Sequence, residues 1–389
     1  MDERFTSFLG TAQFLEATTN SGRLVAKLRL AVKNRELYET HQILRTIYFR
    51  FINTKPKIPA LEGLLYHGTN YLLDAGEEVS ALDIAALYLE TAAKFLKSLH
   101  DEGGEDAKLY LAEPSLKLHT EWRSPDLDIS RKIANISVKL PDTELSRQKF
   151  IADTMKILAH KILNKCLLHE VLAHQFRENR DFVNSRYHYL HCASLENAES
   201  VGNFLIEYQS GSACKSEIDL FITQFIFQFL CLQSPSDPPR LCSQNSKTVT
   251  APTSPVIGKT RSNIKSVADR IFTTYISKHP QLRQTGTPFS SFPLLNFTYF
   301  IISMLDVDCE ATAFTVLKDV YKTSWCRDPN YQGYLSRVGT LYFGIVDQTK
   351  QRQGGLLNNI LLSLLDDTED EEPSPREPNN NLSPCDDLD

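Results

Sequence analysis

The chain of 389 residues is 42% hydrophobic and 23% charged, with a formal net charge of −6, which allows a sizeable core in one elongated unit or two compact ones. Its opening stretch carries Asp2, Glu3 and Arg4 where a secretion signal needs apolar residues. The longest apolar run, Ile218–Leu232, is interrupted by Thr223, Gln224 and Gln228 and falls short of the roughly 20 residues a bilayer span requires. With eight cysteines and no CxxC spacing among them, the expected setting is a reduced cytosol.

Residues 1–20 lack periodicity and are read as a flexible N-terminus. A first helix is expected over Gly22–Lys33, followed by a turn at Asn34–Glu36. In the next helix Leu37, His41, Leu44, Tyr48 and Phe51 recur at alternating four- and three-residue steps, one helical stripe, opposite Glu39, Gln42, Thr46, Arg50 and Asn53. Pro56 and Pro59 close this pair. A third helix continues the series through Leu61, Leu64, Leu65, Tyr71 and Leu72, with Gly76 as its stop. The fourth is the most regular, with Leu82, Ala85, Leu89, Ala92, Leu96 and Leu99 on one face and Ser80 as its expected N-cap. Gly103, Gly104, Pro114 and Pro125 mark 101–128 as an insertion loop, after which helices are expected over Ser130–Leu140, Asp142–Leu163 and Lys165–Asn179.

The middle of the chain organises the rest. Residues 181–233 read as three short helices separated by polar clusters at Ser194–Glu196 and Gln209–Ser212, and the third is apolar nearly all round, from Ile218 through Phe221, Ile222, Phe225, Ile226 and Phe229 to Leu230. Such a helix must be covered on most of its surface. Short helices that cannot bury themselves alone, joined by brief turns, form stacked arrays. Five prolines among Ser and Thr mark 234–263 as a disorder-prone insertion. Helices resume over Ile264–Lys278, Leu294–Leu305, Ala311–Tyr321 and Tyr331–Phe343, and the Gly/Pro/Ser-marked stretch 279–293 reads as a small β-hairpin. An amphipathic piece, Gly354–Leu365, precedes an acidic tail. The expected fold is therefore all-α: an α-solenoid of stacked antiparallel helix pairs, a TPR-like right-handed superhelix. N-terminal repeats occupy 21–178, C-terminal repeats 179–365 and a disordered tail 366–389.

Charge is unevenly placed. Residues 23–57 hold nine Lys/Arg against Glu36 and Glu39, while 366–389 hold ten Asp/Glu against Arg376, a distribution suited to partners recognised by charge. Catalytic motifs are missing or malformed. His169 and His174 lie one residue too far apart for HExxH, which places them about 140° apart around a helix and unable to chelate one zinc. His188 and His191, at i and i+3, have no third ligand at suitable spacing. Gly258-Lys259-Thr260 ends like a phosphate loop, but Thr253 stands where that motif needs glycine. No catalytic, metal or cofactor-binding set is expected. The basic stripe of Arg23, Lys27, Arg29, Arg45 and Arg50 supports an alternative, a helical-repeat nucleic-acid-binding protein. No aromatic interleaving marks a base-stacking platform, however, and a helix charge run is most often a solvated face.

Three segments, Lys27–Phe51, Ser185–Ala193 with Ser216–Leu232, and Ile271–Ile345, in this order and ending in GGLLNNILLSLL, resemble the Golgi to ER traffic protein 4 family over residues 22–365. The resemblance implies a non-enzymatic cytosolic α-solenoid. Its N-terminal half would dock the ATPase that targets tail-anchored proteins, and its C-terminal half a ubiquitin-like protein or a BAG-domain chaperone scaffold. It implies that basic Arg23 and Lys27 and acidic Asp83 and Glu90 contact the ATPase. An aromatic expected at the start of the second helix is Leu37 here, with Tyr38 beside it. For the C-terminal partner the candidates are the aromatics Phe297, Tyr299, Phe300, Trp325, Tyr331 and Tyr334, weighed against an ordinary place in the core, together with Leu356 and Leu357 of the terminal amphipathic piece.

Overall fold

The computed structural model describes residues 2–11, 19–54, 57–101, 125–159, 162–212, 214–233, 256–283, 288–305 and 311–345. Among them all regular secondary structure is helical, with no strand. They fall into two compact units, Met1–Cys309 and Glu310–Asp389.

The first unit is an α-solenoid of stacked helices. Its elements are α1 (Asp2–Thr11), α2 (Thr19–Asn34), α3 (Leu37–Phe51), α4 (Ile58–Asp74), α5 (Glu78–Asp101) and α6 (Pro125–Lys139). A composite segment comes next, a π turn at Glu144–Gln148, α7 (Lys149–Thr154) and a second π turn at Met155–Ala159. Then come α8 (Lys165–Glu178), α9 (Phe182–Cys192), α10 (Ala198–Ser212), α11 (Ile218–Leu232), α12 (Val256–Lys278) and α13 (Pro293–Met304). Neighbours in sequence pack together, and alternate helices such as α3 and α5, α9 and α11, and α10 and α12 also touch. Local chemistry sets the joints. Gly76 adopts φ +84 and Glu77 N–H donates to Leu72 O at 2.9 Å, so the glycine closes α4 as its position foretold. Arg35, at φ 58, makes the same turn between α2 and α3. Asn164 and Asp181 cap α8 and α9 by accepting from backbone N–H groups.

Several expectations are corrected. Of the N-terminus expected to be flexible, Asp2–Thr11 form α1, whose Phe5 and Leu9 are buried one turn apart against α2 and α4. Arg29 ties it down by donating to Leu9 O. Three apolar residues, Phe5, Phe8 and Leu9, on a ten-residue helix are too short a signal to register as a period. Ser80 is inside α5 rather than at its N-cap, because Glu77 O already accepts from Ala81 N–H at 2.9 Å. The helix expected over Asp142–Leu163 is broken up by its two π turns, and α6 and α12 begin earlier than expected. Among the described residues of 279–293 there is no strand, so the β-hairpin expected there is not found: they form turns and bends up to the start of α13. Asn296 accepts from Phe289 N–H at 2.9 Å and donates to Phe289 O at 3.1 Å, occupying the backbone groups a partner strand would need.

One core runs from Phe5 to Phe176 through the first helices. Helix contacts tighten where glycine faces a neighbour. A Cβ on Gly68 of α4 would sit 2.6 Å from Leu44 Cδ1 of α3, and one on Gly202 of α10 would sit 2.8 Å from Thr274 Cβ of α12. The second unit holds α14 (Ala311–Val320), α15 (Lys322–Trp325) and α16 (Tyr331–Phe343), and Phe314 of α14 stacks on Phe343 of α16, ring centroids 4.6 Å apart.

Candidate functional site

Asp83 and Glu90 lie seven residues, about two turns, apart on α5 and therefore share a face. The structure brings α3 against that face. His41 Nε2 lies 2.8 Å from Asp83 Oδ2, and Arg45 Nη1 donates to both Asp83 oxygens at 2.6 Å. Two turns along, Tyr48 Oη donates to Glu90. Lys94 reaches Asn53 at 3.4 Å further on. His41, Tyr48 and Asn53 pair with residues 42, 42 and 41 positions later, so α3 and α5 run parallel in constant register. This polar seam is open to solvent. The Asp83 and Arg45 side chains are each 36% exposed, whereas the Tyr48 body is buried and only its hydroxyl reaches the carboxylate. Burial, then the bond to Glu90, raises the Tyr48 pKa above the ordinary phenol value, so it remains a donor at neutral pH.

Large apolar groups flank the seam in the open. Tyr38 is 77% exposed and Phe49 63%, and the Arg45 guanidinium lies 5.8 Å from the Phe49 ring centroid. Tyr38, Arg45 and Phe49 succeed one another at steps of seven and four, which puts them on one side of α3. Arg23 and Lys27 are exposed on α2, as is Leu30. Of the other cations in the basic stripe, Arg29 donates to Leu9 O and Arg45 to Asp83. Exposed aromatics beside a guanidinium and paired carboxylates have the composition of a protein-binding patch. Tyr48 and Phe49 were not singled out by sequence as part of a site, and Arg45 only as a member of the basic stripe. The signal that could have found them is the matching seven-residue interval, 41 to 48 and 83 to 90, on helices one repeat apart.

A second polar seam, between α4 and α6, is closed. Lys132 Nζ lies 3.0 and 2.9 Å from the two oxygens of buried Glu62 and 2.9 Å from Asp128. Asn135 Nδ2 donates to Tyr66 Oη at 2.6 Å, and Lys132 Nζ lies 5.6 Å from the Tyr66 ring centroid. Desolvation raises the Glu62 pKa against the pull of Lys132. Desolvation also opposes the Lys132 charge, but Glu62 and Asp128 outweigh it and hold the amine above its usual value.

The central histidines form a third cluster. His169 and His188 meet through their Nδ1 atoms at 2.8 Å, and His169 stacks on His191 with centroids 4.9 Å apart. His188 also stacks on Phe176. Burial, with a smaller contribution from His191, lowers the His188 pKa to about 3. His169 thus meets His188, nineteen residues away, in keeping with the reading that His169 and His174 are too far apart around a helix to act together. Among the described residues no group of three or more His, Cys, Asp or Glu is placed to hold a metal ion.

The C-terminal candidates divide by exposure. Phe297, Trp325, Tyr331 and Tyr334 are buried, and Trp325 Nε1 donates to Lys318 O at 2.8 Å. They serve the interior, the alternative weighed against contact roles in the sequence. Tyr299 and Phe300 remain exposed on α13 and touch edge to face, 5.8 Å apart. Leu356 and Leu357 lie outside the described residues.

Residues 56–365 match the family model described as Golgi to ER traffic protein 4. A human Golgi to ER traffic protein 4 homolog is 33% identical over 352 residues, covering 90% of this chain and 88% of its own length. The chain belongs to the Golgi to ER traffic protein 4 family. A Xenopus laevis relative, homolog A, is 33% identical over 352 residues, covering 90% of this chain and 89% of its own. The fold is also that of a crystal structure of C. therm. Get4, at TM-score 0.54 and 16% identity, covering 92% of this chain and 99% of that one. The Golgi to ER traffic protein 4 match contains Asp83 and Glu90 but begins after α3. The exposed α2 and α3 side chains of the candidate face therefore lie ahead of it.

Proposed function

We propose that the chain is a non-enzymatic cytosolic adaptor in the targeting of tail-anchored proteins to the endoplasmic reticulum, docking the targeting ATPase on the face formed by α2, α3 and α5. Family membership supports the pathway. The observation that carries the docking site is the open seam, where Asp83 and Glu90 stand in register beside exposed Tyr38 and Phe49. A cationic helix or loop of the ATPase would share the Asp83 and Glu90 carboxylates with Arg45 and Tyr48, while Arg23 and Lys27 meet an acidic patch. The aromatics would supply most of the binding energy, as anchors surrounded by charge usually do. The other end of the adaptor would hold a BAG-domain chaperone scaffold or a ubiquitin-like protein, with exposed Tyr299 and Phe300 as its contact residues.

The test is capture of the ATPase from cytosol by the full chain. Asp83→Lys and Glu90→Lys should each abolish capture while leaving the helical circular dichroism unchanged. Capture undiminished by both changes overturns the docking site. Salt-sensitive binding to random-sequence RNA, lost in Arg23→Ala/Lys27→Ala, would instead support the nucleic-acid reading. The structure favours that reading less, since Arg29 and Arg45 of the basic stripe are engaged within the chain.

A further inference from the structure

The helix α14 is held by little that is visible. Of its ten residues only Phe314 is buried, and a helix of this length is marginal without tertiary contacts. Its remaining apolar side chains are not scattered. On a helical projection Val316, Val320, Ala313 and Leu317 fill an arc adjoining Phe314, and Val316 and Val320 are 60% and 70% exposed. An arc that continues the packed face of a helix outward is a seat for another apolar element.

The path of the chain indicates which element. Phe343, the last residue of α16, stacks on Phe314. Gly344 then takes φ 65, and Ile345 turns back so that its Cδ1 lies 3.4 Å, and Phe314 Cε1 3.2 Å, from where a Cβ on Gly339 would be. Thr340 Oγ1 donates to Ile345 O at 2.9 Å and fixes that reversal. Ile345, the last described residue, therefore lies beside Phe314 of α14. The eight residues from 346 to 353 can span up to about 28 Å, whereas Val316 and Val320 are only about 6 Å apart along the helix. Beyond them the chain continues into Gly-Gly and then an apolar piece in which Leu356, Ile360 and Leu364, and beside them Leu357, Leu361 and Leu365, repeat every four residues, with Asn358, Asn359, Leu362 and Ser363 between. That spacing makes one apolar ridge if the piece is helical. The family match also runs through residue 365 and stops at the acidic tail, so this piece belongs to the sequence that the family shares.

We propose that Leu356–Leu365 of this chain docks its leucine ridge on the Val316/Val320 arc of α14 and closes the end of the second unit. Closure of a repeat array by a terminal helix whose outer side is more polar than its inner one is what its solubility requires. A second copy is a poor occupant. A ten-residue helix about 15 Å long and 10–12 Å across offers much less than the roughly 600–1,000 Å² per partner of a stable interface.

Amide hydrogen exchange of the full chain tests this. Residues 311–320 should be protected, and Leu357→Asp/Leu361→Asp should speed their exchange at least tenfold while leaving that of α9–α11 unchanged. Equal exchange in both proteins overturns the proposal. Because the double change could act indirectly, a photo-crosslinking residue at Val316 gives a second readout. Crosslinks within one chain to residues 354–365 support the docking. Crosslinks between two copies, or none to that segment, overturn it.

Discussion

Two seams between alternate helices of the first unit are built from the same kinds of group and differ in depth. Between α4 and α6, Lys132 grips Glu62 with both carboxylate oxygens engaged and Glu62 buried. Between α3 and α5, Arg45 grips Asp83 just as closely, but more than a third of each side chain meets water. The first pair is bound to the fold, because removing either charge strands the other in a medium that penalises it. The second can exchange its partner for another at little cost, because water screens whatever is uncovered. Depth, more than residue type, separates a structural joint from a docking face.

The largest expected effect breaks the buried joint. Glu62→Ala should lower unfolding free energy by about 3 kcal/mol, the low end for a broken buried pair because Asp128 still holds Lys132. Adding Lys132→Met should restore much of it. Urea titrations of the three proteins decide the matter, and a loss under about 1 kcal/mol for Glu62→Ala, the range of an exposed pair, would mean that the seam is wetter than its geometry indicates.

Glu62 also shows why part of the molecule was legible in the sequence and part was not. Helix order came from apolar spacing, since burial of a face is written in every third or fourth residue, and the stop at Gly76 came from its backbone freedom. The Glu62–Lys132 and Asp83–Arg45 pairs join residues 70 and 38 positions apart, and no local period encodes which two helices meet. The insertion at 101–128 lies between the partners of the first pair, so even a fixed repeat length would have missed it. Likewise the aromatics of α13, α15 and α16 are equally suited to core and contact, and only packing separates buried Phe297 from exposed Tyr299.

A smaller effect should come from crowding a second joint. Gly202→Ala brings a Cβ to 2.8 Å from Thr274 and 3.2 Å from the Ile271 carbonyl oxygen. Backbone cannot step aside as a side-chain tip can, so the change should cost about 1–3 kcal/mol, read as a fall in Tm. The control is Gly333→Ala, where a Cβ meets nothing within 4 Å. Its Tm should stay level or rise slightly.

The histidine joint turns depth into pH dependence. His188 is neutral in the folded chain down to about pH 3 but takes up a proton in the unfolded chain below its ordinary value of 6.5. The unfolded state thus binds more protons across that window, and stability must fall as pH falls, on the order of 1.4 kcal/mol per pH unit from this residue. His188→Phe should have a shallower slope between pH 6.5 and about 4 in denaturation at several pH values, whatever its stability at neutral pH. Parallel slopes would show that His188 is solvated in the native state.

The smallest effect on folding should come from the open seam, and there it is most informative. Asp83→Asn removes the charge that Arg45 holds, yet both side chains are exposed enough that the change should cost about 0–1 kcal/mol. Loss of ATPase capture alone would leave open whether Asp83 acts on the partner or by positioning Arg45. The exchange Asp83→Arg/Arg45→Asp separates these roles. It keeps an ion pair between α3 and α5, so Tm should stay near the parent value, but it puts a cation on α5 where the partner needs an acid. Capture lost with Tm retained assigns the carboxylate to the interface. Capture retained would mean that the pair matters only as a clasp between two helices, and the exposed Tyr38 and Phe49 beside it would then have to carry the recognition.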